Sequence, residues 1–329
     1  MNNPKVYLNQ NKQDELVQEP TRNGFGRGLV TAGRKNKNVV ALCADLTEST
    51  RVLDFKEEFP ERFFQVGVAE QNMATIAAGL GISGKIPFMA SYATFSPGRN
   101  WEQIRTTIAY NNSNVKIAGH HAGISVGPDG ATHQAIEDIA TMRVMPNMKV
   151  IVPCDSIEAE KATEAAAKIS GPMYLRFTRE KTPVFTTKKT PFIPGRAELF
   201  WTSKNPEVVI IACGPLVYNA ILAAEILKEE KIQVLVLNNH TIKPLDEKTI
   251  LTYVKKAGAV VTVEEHQVLG GLGGALSELL ARKYPVPVEF IGMQDTFGES
   301  ADPDQLIKKY KMDPKSIAKA VKKVLLRKS

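Results

Sequence analysis

Short apolar runs of valine, isoleucine, leucine and alanine recur along this chain: Val39–Ala44, Ile86–Ala90, Val115–Ala118, Lys149–Val152, Met173–Phe177, Val208–Ala212, Gln233–Leu237, Val260–Val263 and Val288–Ile291. Longer Ala-, Glu- and Lys-rich stretches separate them, such as Ile157–Lys168 and Tyr218–Glu230. A strand apolar on both faces must be covered on both, and a helical connection returns the chain to start the next strand in the same direction. The pattern predicts an α/β protein with mostly parallel sheets and helices on both faces. The 329 residues suffice for two such domains. Pro183, Pro191 and Pro194 fall in a Thr- and Lys-rich stretch over residues 181–205, which reads as a connection because proline blocks both helix and central strand. We therefore expect a loose polar arm over 1–20, a first domain over 21–185, a linker over 186–205 and a second domain over 206–329.

Apolar residues at 43% and charged residues at 23% describe a soluble globular protein. No apolar run is long enough to span a bilayer, and the first twenty residues lack a signal pattern, so the expectation is a cytoplasmic protein with no membrane partner. Cys43, Cys154 and Cys213 lie far apart in or beside apolar runs, which predicts reduced, buried thiols and no metal site. The net charge of +7 raises nucleic acid as a partner. However, the lysines gather at residues 308–328 on a predicted helix, and no helix-turn-helix, zinc-finger or RNA-recognition pattern accompanies them. A solvated helix face is the reading adopted, with no nucleic acid bound; anionic sugar phosphates are the other natural partner for local positive charge.

Four segments carry candidate chemistry. In FFQVGVAEQNM, Glu70 follows a strand-like run and opens a small-residue helix, where poor solvation would raise its pKa and suit it to holding a proton; it equally suits a plain helix N-terminus. Tyr92 and Phe95 in SYATF, with Trp101 beyond, could form a stacking wall for a flat ligand or fill the core. The loop HHAGISVGPDGATHQ holds His120, His121 and His133 around a Pro-Asp-Gly turn at the end of a predicted strand, where open α/β sheets bind ligands. Imidazoles there could bond hydroxyls and move protons, whereas zinc is not expected without cysteine partners. Arg176 and Arg179 in MYLRFTRE suit a phosphate or a surface ion pair. The glycines of GGLGGAL (270–276) miss the dinucleotide pattern at Leu276 and read as a tight strand-to-helix turn.

Taken in order and spacing, ADLTESTR (44–51), FFQVGVAEQNM (63–73), SYATF, GISVGPDGATHQAIEDIA (123–140) and RFTRE (176–180) resemble the C-terminal half of transketolase, over about Thr21 to Leu326. The resemblance implies a pyrimidine-binding domain followed by a transketolase C-terminal domain. It places the family's activating glutamate on Glu70, whose carboxyl would bond the aminopyrimidine of thiamine diphosphate and so promote loss of the thiazolium proton. It places the cofactor's aromatic neighbours on Tyr92 and Phe95, with Trp101 further along. It places substrate binding on Arg51, His121, Asp129, His133 and Arg179, with His133 also catalytic. Ala131 stands where many members have proline, and the chain is shorter around Arg51 than in some. The Gly-Asp-Gly stretch that such enzymes use to hold Mg²⁺ and diphosphate does not occur in this sequence. The implied protein is the C-terminal subunit of a split transketolase of the pentose phosphate pathway. It would move a two-carbon ketol unit between sugar phosphates, in an α2β2 heterotetramer with an N-terminal subunit bearing Gly-Asp-Gly…Asn and the Mg²⁺ ligands. The competing implications are a deoxyxylulose-phosphate synthase, the β subunit of a 2-oxo-acid dehydrogenase, and a non-catalytic scaffold of the same fold.

Overall fold

The computed structural model describes residues 1–9 and 15–328. The first half builds a seven-stranded sheet, in spatial order Thr241–Lys243, Lys149–Ile151, Met173–Arg176, Lys116–His120, Ile86–Tyr92, Val39–Cys43 and Phe63–Gln65. All neighbours are parallel except Thr241–Lys243, which the second half lends as an antiparallel edge strand. The second half builds a five-stranded sheet in the order Val288–Met293, Val260–Gln267, Val208–Ala212, Val234–Asn238 and Glu198–Trp201, of which only the last is antiparallel. Every strand expected from an apolar run forms. Glu198–Trp201, Thr241–Lys243 and the paired Gln18–Glu19 and Thr182–Pro183 were not foreseen, because two to four residues are too few to display a period.

Helices cover both faces of the sheets. Thr21–Lys35 packs so closely on Ser156–Ala166 that a Cβ on Gly24 would lie 1.9 Å from the Ser156 carbonyl oxygen, so only glycine fits there. One buried apolar cluster runs from Met73 and Ile117 of the first half through Met142 and Met145 to Ile211 and Leu276 of the second. The domains therefore share a core and are held by more than the chain that connects them.

Two expectations change on this evidence of packing. The arm over residues 1–20 is not loose where it is described. Val6, Leu8 and Leu16 are buried in a cluster with Phe185 and Phe200, Asn3 N–H donates to the Phe200 carbonyl at 2.8 Å, and Gln18–Glu19 pairs with Thr182–Pro183. Residues 10–14 of that arm lie outside the described residues. Three isolated apolar side chains sufficed to anchor it, a signal hidden by its polar average. The proline-rich connection likewise contributes the strand Glu198–Trp201, and the Thr186 N–H and hydroxyl both donate to the buried Asp155 carboxylate. The cysteines are free and buried. Among the described residues no helix is long and apolar enough to cross a membrane.

Candidate active site

The site residues converge because each follows the carboxyl end of a parallel strand, the edge at which open α/β sheets expose their loops. Glu70 comes after Phe63–Gln65, Tyr92 ends Ile86–Tyr92, His121 follows Lys116–His120 and Arg179 follows Met173–Arg176.

Glu70 is the first residue of the helix Glu70–Ile82 and only 2% exposed. Its Oε2 accepts from Arg99 Nη1 at 2.8 Å, while Oε1 has no hydrogen bond among the described residues. Asn100 Nδ2 donates to the Glu70 carbonyl at 2.9 Å and fixes the backbone there. The Arg99 guanidinium, half exposed, lies 4.5 Å from the centre of the Phe95 ring. The aromatic pair does gather: Tyr92 and Phe95 stack with centroids 5.8 Å apart, His121 stacks on Tyr92 at 3.9 Å, and His133 meets Phe95 edge-on at 5.5 Å. Trp101 stands outside this ring cluster. Its Nε1 donates to the Thr141 carbonyl at 3.1 Å, and with Thr94, Gly98 and Thr132 it lines an adjoining cavity of about 410 Å³.

Of the adjacent histidines, only His121 faces the site. His120 is fully buried between Phe25 and Phe177, with centroids 4.8 and 5.2 Å away, and burial keeps it neutral. Arg22 Nη1 donates to His121 Nε2 at 2.8 Å. Since guanidinium can only donate, Nε2 accepts and the neutral ring carries its proton on Nδ1. Burial, then the positive charges of Arg22 and Arg179, lower His121 to about 3, so it is uncharged near neutrality. His133 Nδ1 bonds Thr132 Oγ1 at 2.9 Å. Arg179 Nη1 donates to the Val126 carbonyl at 2.9 Å and meets Asp129 at 3.3 Å across an open face. Arg51 is exposed at a left-handed position, φ 60°, beside Arg22.

Two arginines escaped the sequence reading. Arg22 lies in the first turn of its helix, a place unfavourable for a cation, and that misfit was the only local signal. Thr21 pins the turn, its Oγ1 accepting from Thr178 N–H at 2.8 Å. Burial, then the positive charges of Arg51 and Arg179, hold the Arg22 guanidinium below its ordinary range. Arg99 sits in an unremarked Pro-Gly-Arg step. Conversely, Arg176 is not available to a phosphate. It is 3% exposed and locked to Asp138 at 2.7 Å, with a further bond to the Ala135 carbonyl at 3.1 Å. The glycine turn at 270–276 is likewise closed to anions, because Glu264 already accepts from Leu272 N–H at 2.7 Å and Gly273 N–H at 2.8 Å. No group of His, Cys, Asp and Glu side chains arranged to hold a metal occurs among the described residues.

Residues 18–184 match the family described as transketolase, pyrimidine binding domain, and residues 198–317 match transketolase, C-terminal domain. A putative transketolase C-terminal section from Methanocaldococcus jannaschii is 44% identical over 93% of this chain and 96% of its own length. A 6-deoxy-6-sulfo-D-fructose transketolase subunit from a Clostridium species is 38% identical over 98% of this chain and 99% of its own. A solved structure described as split gene transketolase, inactive beta4 tetramer, superposes with a TM-score of 0.88 at 43% identity, covering 94% of this chain and 99% of that one. The chain belongs to the transketolase family and carries its pyrimidine-binding and C-terminal domains.

Proposed function

We propose that this chain is the C-terminal subunit of a split transketolase. In this reading it transfers a two-carbon ketol unit from a ketose to an aldose, both bearing anionic ends, and works only with a partner subunit. The observation that carries the reading is the meeting, at one sheet edge, of a buried carboxylate with a free Oε1, an aromatic pair and a cationic basin. The family generally uses thiamine diphosphate, and the residues here suit its pyrimidine half: a buried acid at a helix N-terminus beside flat rings. When bound, that cofactor supplies a nucleophilic carbon and an electron sink.

The chain's own residues divide the remaining work. Glu70 Oε1 holds a proton against the pyrimidine ring, while Arg99 occupies Oε2 and sets the carboxyl's orientation. Tyr92 and Phe95 pack on the pyrimidine plane. Trp101 stands outside the ring cluster and has no assigned part in this reading. His133, with Nδ1 tied to Thr132, presents Nε2 to a substrate hydroxyl and serves as proton carrier. Neutral His121 and Asp129 bind hydroxyls. Arg22, Arg51 and Arg179 hold the anionic end, which places the reacting carbon in register. The ligands for Mg²⁺ and the diphosphate belong, in this proposal, to an N-terminal subunit with Gly-Asp-Gly…Asn in an α2β2 assembly in the cytoplasm.

The test is to recover the chain from its native extract, identify what accompanies it, and assay the reconstituted pair. The expected result is a stoichiometric partner and ketol transfer from xylulose 5-phosphate to ribose 5-phosphate that requires both chains, thiamine diphosphate and Mg²⁺. Turnover by this chain alone, or pyruvate as the preferred donor, would overturn the reading. The arginine basin suits a sulfonate as well as a phosphate, so a 6-sulfo ketose belongs in the donor panel; the relative named for that substrate is the reason to include it.

A further inference from the structure

We infer that the C-terminal domain has a direct part in substrate binding, as the clamp that shapes the loop carrying Asp129 and His133, with Glu265 as its positioning residue. This rests on the proposed function for the roles of Asp129 and His133, but the clamp itself stands on contacts alone.

The loop leaves the strand Lys116–His120, makes two tight turns across Ile124–Asp129, and re-enters the helix Asp138–Arg143. Within the loop, Gly123 N–H donates to the Ala135 carbonyl at 2.8 Å and His133 N–H to the Gly130 carbonyl at 3.0 Å, and the second domain adds bonds that hold the loop from outside. Glu265, on the strand Val260–Gln267, is 3% exposed and its Oε1 accepts from Ser125 N–H at 2.6 Å. The carboxylate presses on the loop backbone at Gly123, φ 88°, where a Cβ would lie 2.2 Å from Oε1. The Arg176 side chain also ties one end of the loop to the second domain, its Nη2 donating to the Ala135 carbonyl at 3.1 Å and to the Glu265 carbonyl at 2.9 Å. Gln267 N–H donates to the Ile136 carbonyl at 2.7 Å. From the loop's side, Gln134 Nε2 donates to the Glu299 carbonyl of the second domain at 2.9 Å and to the Ile124 carbonyl at 3.2 Å. Asp129 and His133 thus stand on a scaffold whose fixed points are Ser125, Gln134, Ala135 and Ile136, each bonded across the domain boundary or through Arg176. A loop displaced by even an ångström loses alignment with the reacting atoms, so bonds this far from the chemistry govern it.

Glu265→Ala and Glu265→Gln, with Gln134→Met as an independent lesion of the same clamp, test this. Hydrogen exchange by mass spectrometry on the chain without partner or substrate reads the clamp directly. Residues 123–135 are expected to exchange at least tenfold faster in Glu265→Ala and Gln134→Met, with the strand Val39–Cys43 unchanged. Glu265→Gln keeps an acceptor for Ser125 and is expected to recover most of the protection. In the reconstituted complex, Glu265→Ala is expected to raise KM for the ketose donor tenfold or more, with the dissociation constant for thiamine diphosphate and the mass of the complex unchanged. Unaltered exchange over 123–135 in both lesions would overturn the clamp. Faster exchange with unaltered KM would overturn its role in substrate binding. A wild-type complex with no ketol transfer would overturn the proposed function instead, and the exchange result would still decide whether the clamp exists.

Discussion

Both sheets carry a buried glutamate toward their carboxyl edges, at the start of a helix in the first and within the strand Val260–Gln267 in the second, and treat it in opposite ways. In the first domain Glu70 is buried, and among the described residues its carboxylate bonds one side chain, a half-exposed arginine, through one oxygen. In the second, Glu264 is buried with both oxygens occupied by the amides that open the helix Leu272–Lys283. Two domains of one architecture thus differ in what they leave unsatisfied. A buried acid with open hydrogen-bonding capacity is held ready for a ligand, whereas a satisfied one is a structural cap. The arginines follow the same division: Arg22 bonds only the Ser49 carbonyl and His121 among the described residues, while Arg176 is fully enclosed by Asp138 and two carbonyls.

Four measurements would break or sharpen this contrast. The largest effect belongs to Glu70→Gln, for which turnover of the reconstituted complex should fall roughly a thousandfold or more, the range of a lost proton-handling group, with little change in melting temperature. Retained turnover would erase the distinction between the two edges. Next is Arg176→Met, which strands the Asp138 carboxylate in the core. Denaturant titration should show a loss of about 3–5 kcal/mol, and a loss under 1 kcal/mol would mean the pair is not the buried fastener its enclosure indicates. Third, Glu264→Ala removes the cap of the second-domain helix. It should lower stability by about 1–3 kcal/mol while the folded complex keeps its turnover, and a selective kinetic defect would make that edge functional after all.

The smallest effect is pH-dependent and lies at the seam of the domains. Glu158 accepts from Cys154 N–H and from Asn238 of the second domain, and burial, then the neighbouring Asp155, raises it from an ordinary 4.5 to about 7. Between those values unfolding releases a proton, so this group makes the native state less stable as pH rises from about 4.5 to about 7, and the contribution levels off above. Glu158→Gln has no such proton. Its stability profile should be flatter than the wild type's across that window, by on the order of 2 kcal/mol, in melts at pH 4.5 and pH 8. Parallel profiles for the two proteins would show that Glu158 titrates alike in both states.

Much of the site could be read from residue order. Glu70, Tyr92, Phe95, His121, Asp129, His133 and Arg179 do come to one sheet edge, because each lies just past a strand that its apolar run already announced. Trp101, close to those aromatics in sequence, directs its indole N–H to Thr141, a contact residue order does not show. Arg22 and Arg99 were invisible because nothing adjacent in the chain explains them: Arg22 meets a histidine 99 residues away and Arg99 a glutamate 29 residues away. The arm over residues 1–20 misled through its average polarity, since three buried side chains decide its placement.

By itself the amino-acid sequence determined the α/β class, the two domains, the strands of both sheets and the family, because periodicity, composition and motif order are local or ordered along the chain. Only the tertiary structure decided which acid stays open and which is capped, which arginine borders the site and which is locked in the core, and that the second domain grips the first domain's loop. Those outcomes are hydrogen bonds between distant residues, such as Ser125 and Glu265 at a separation of 140, and the chain's local pattern carries no record of them.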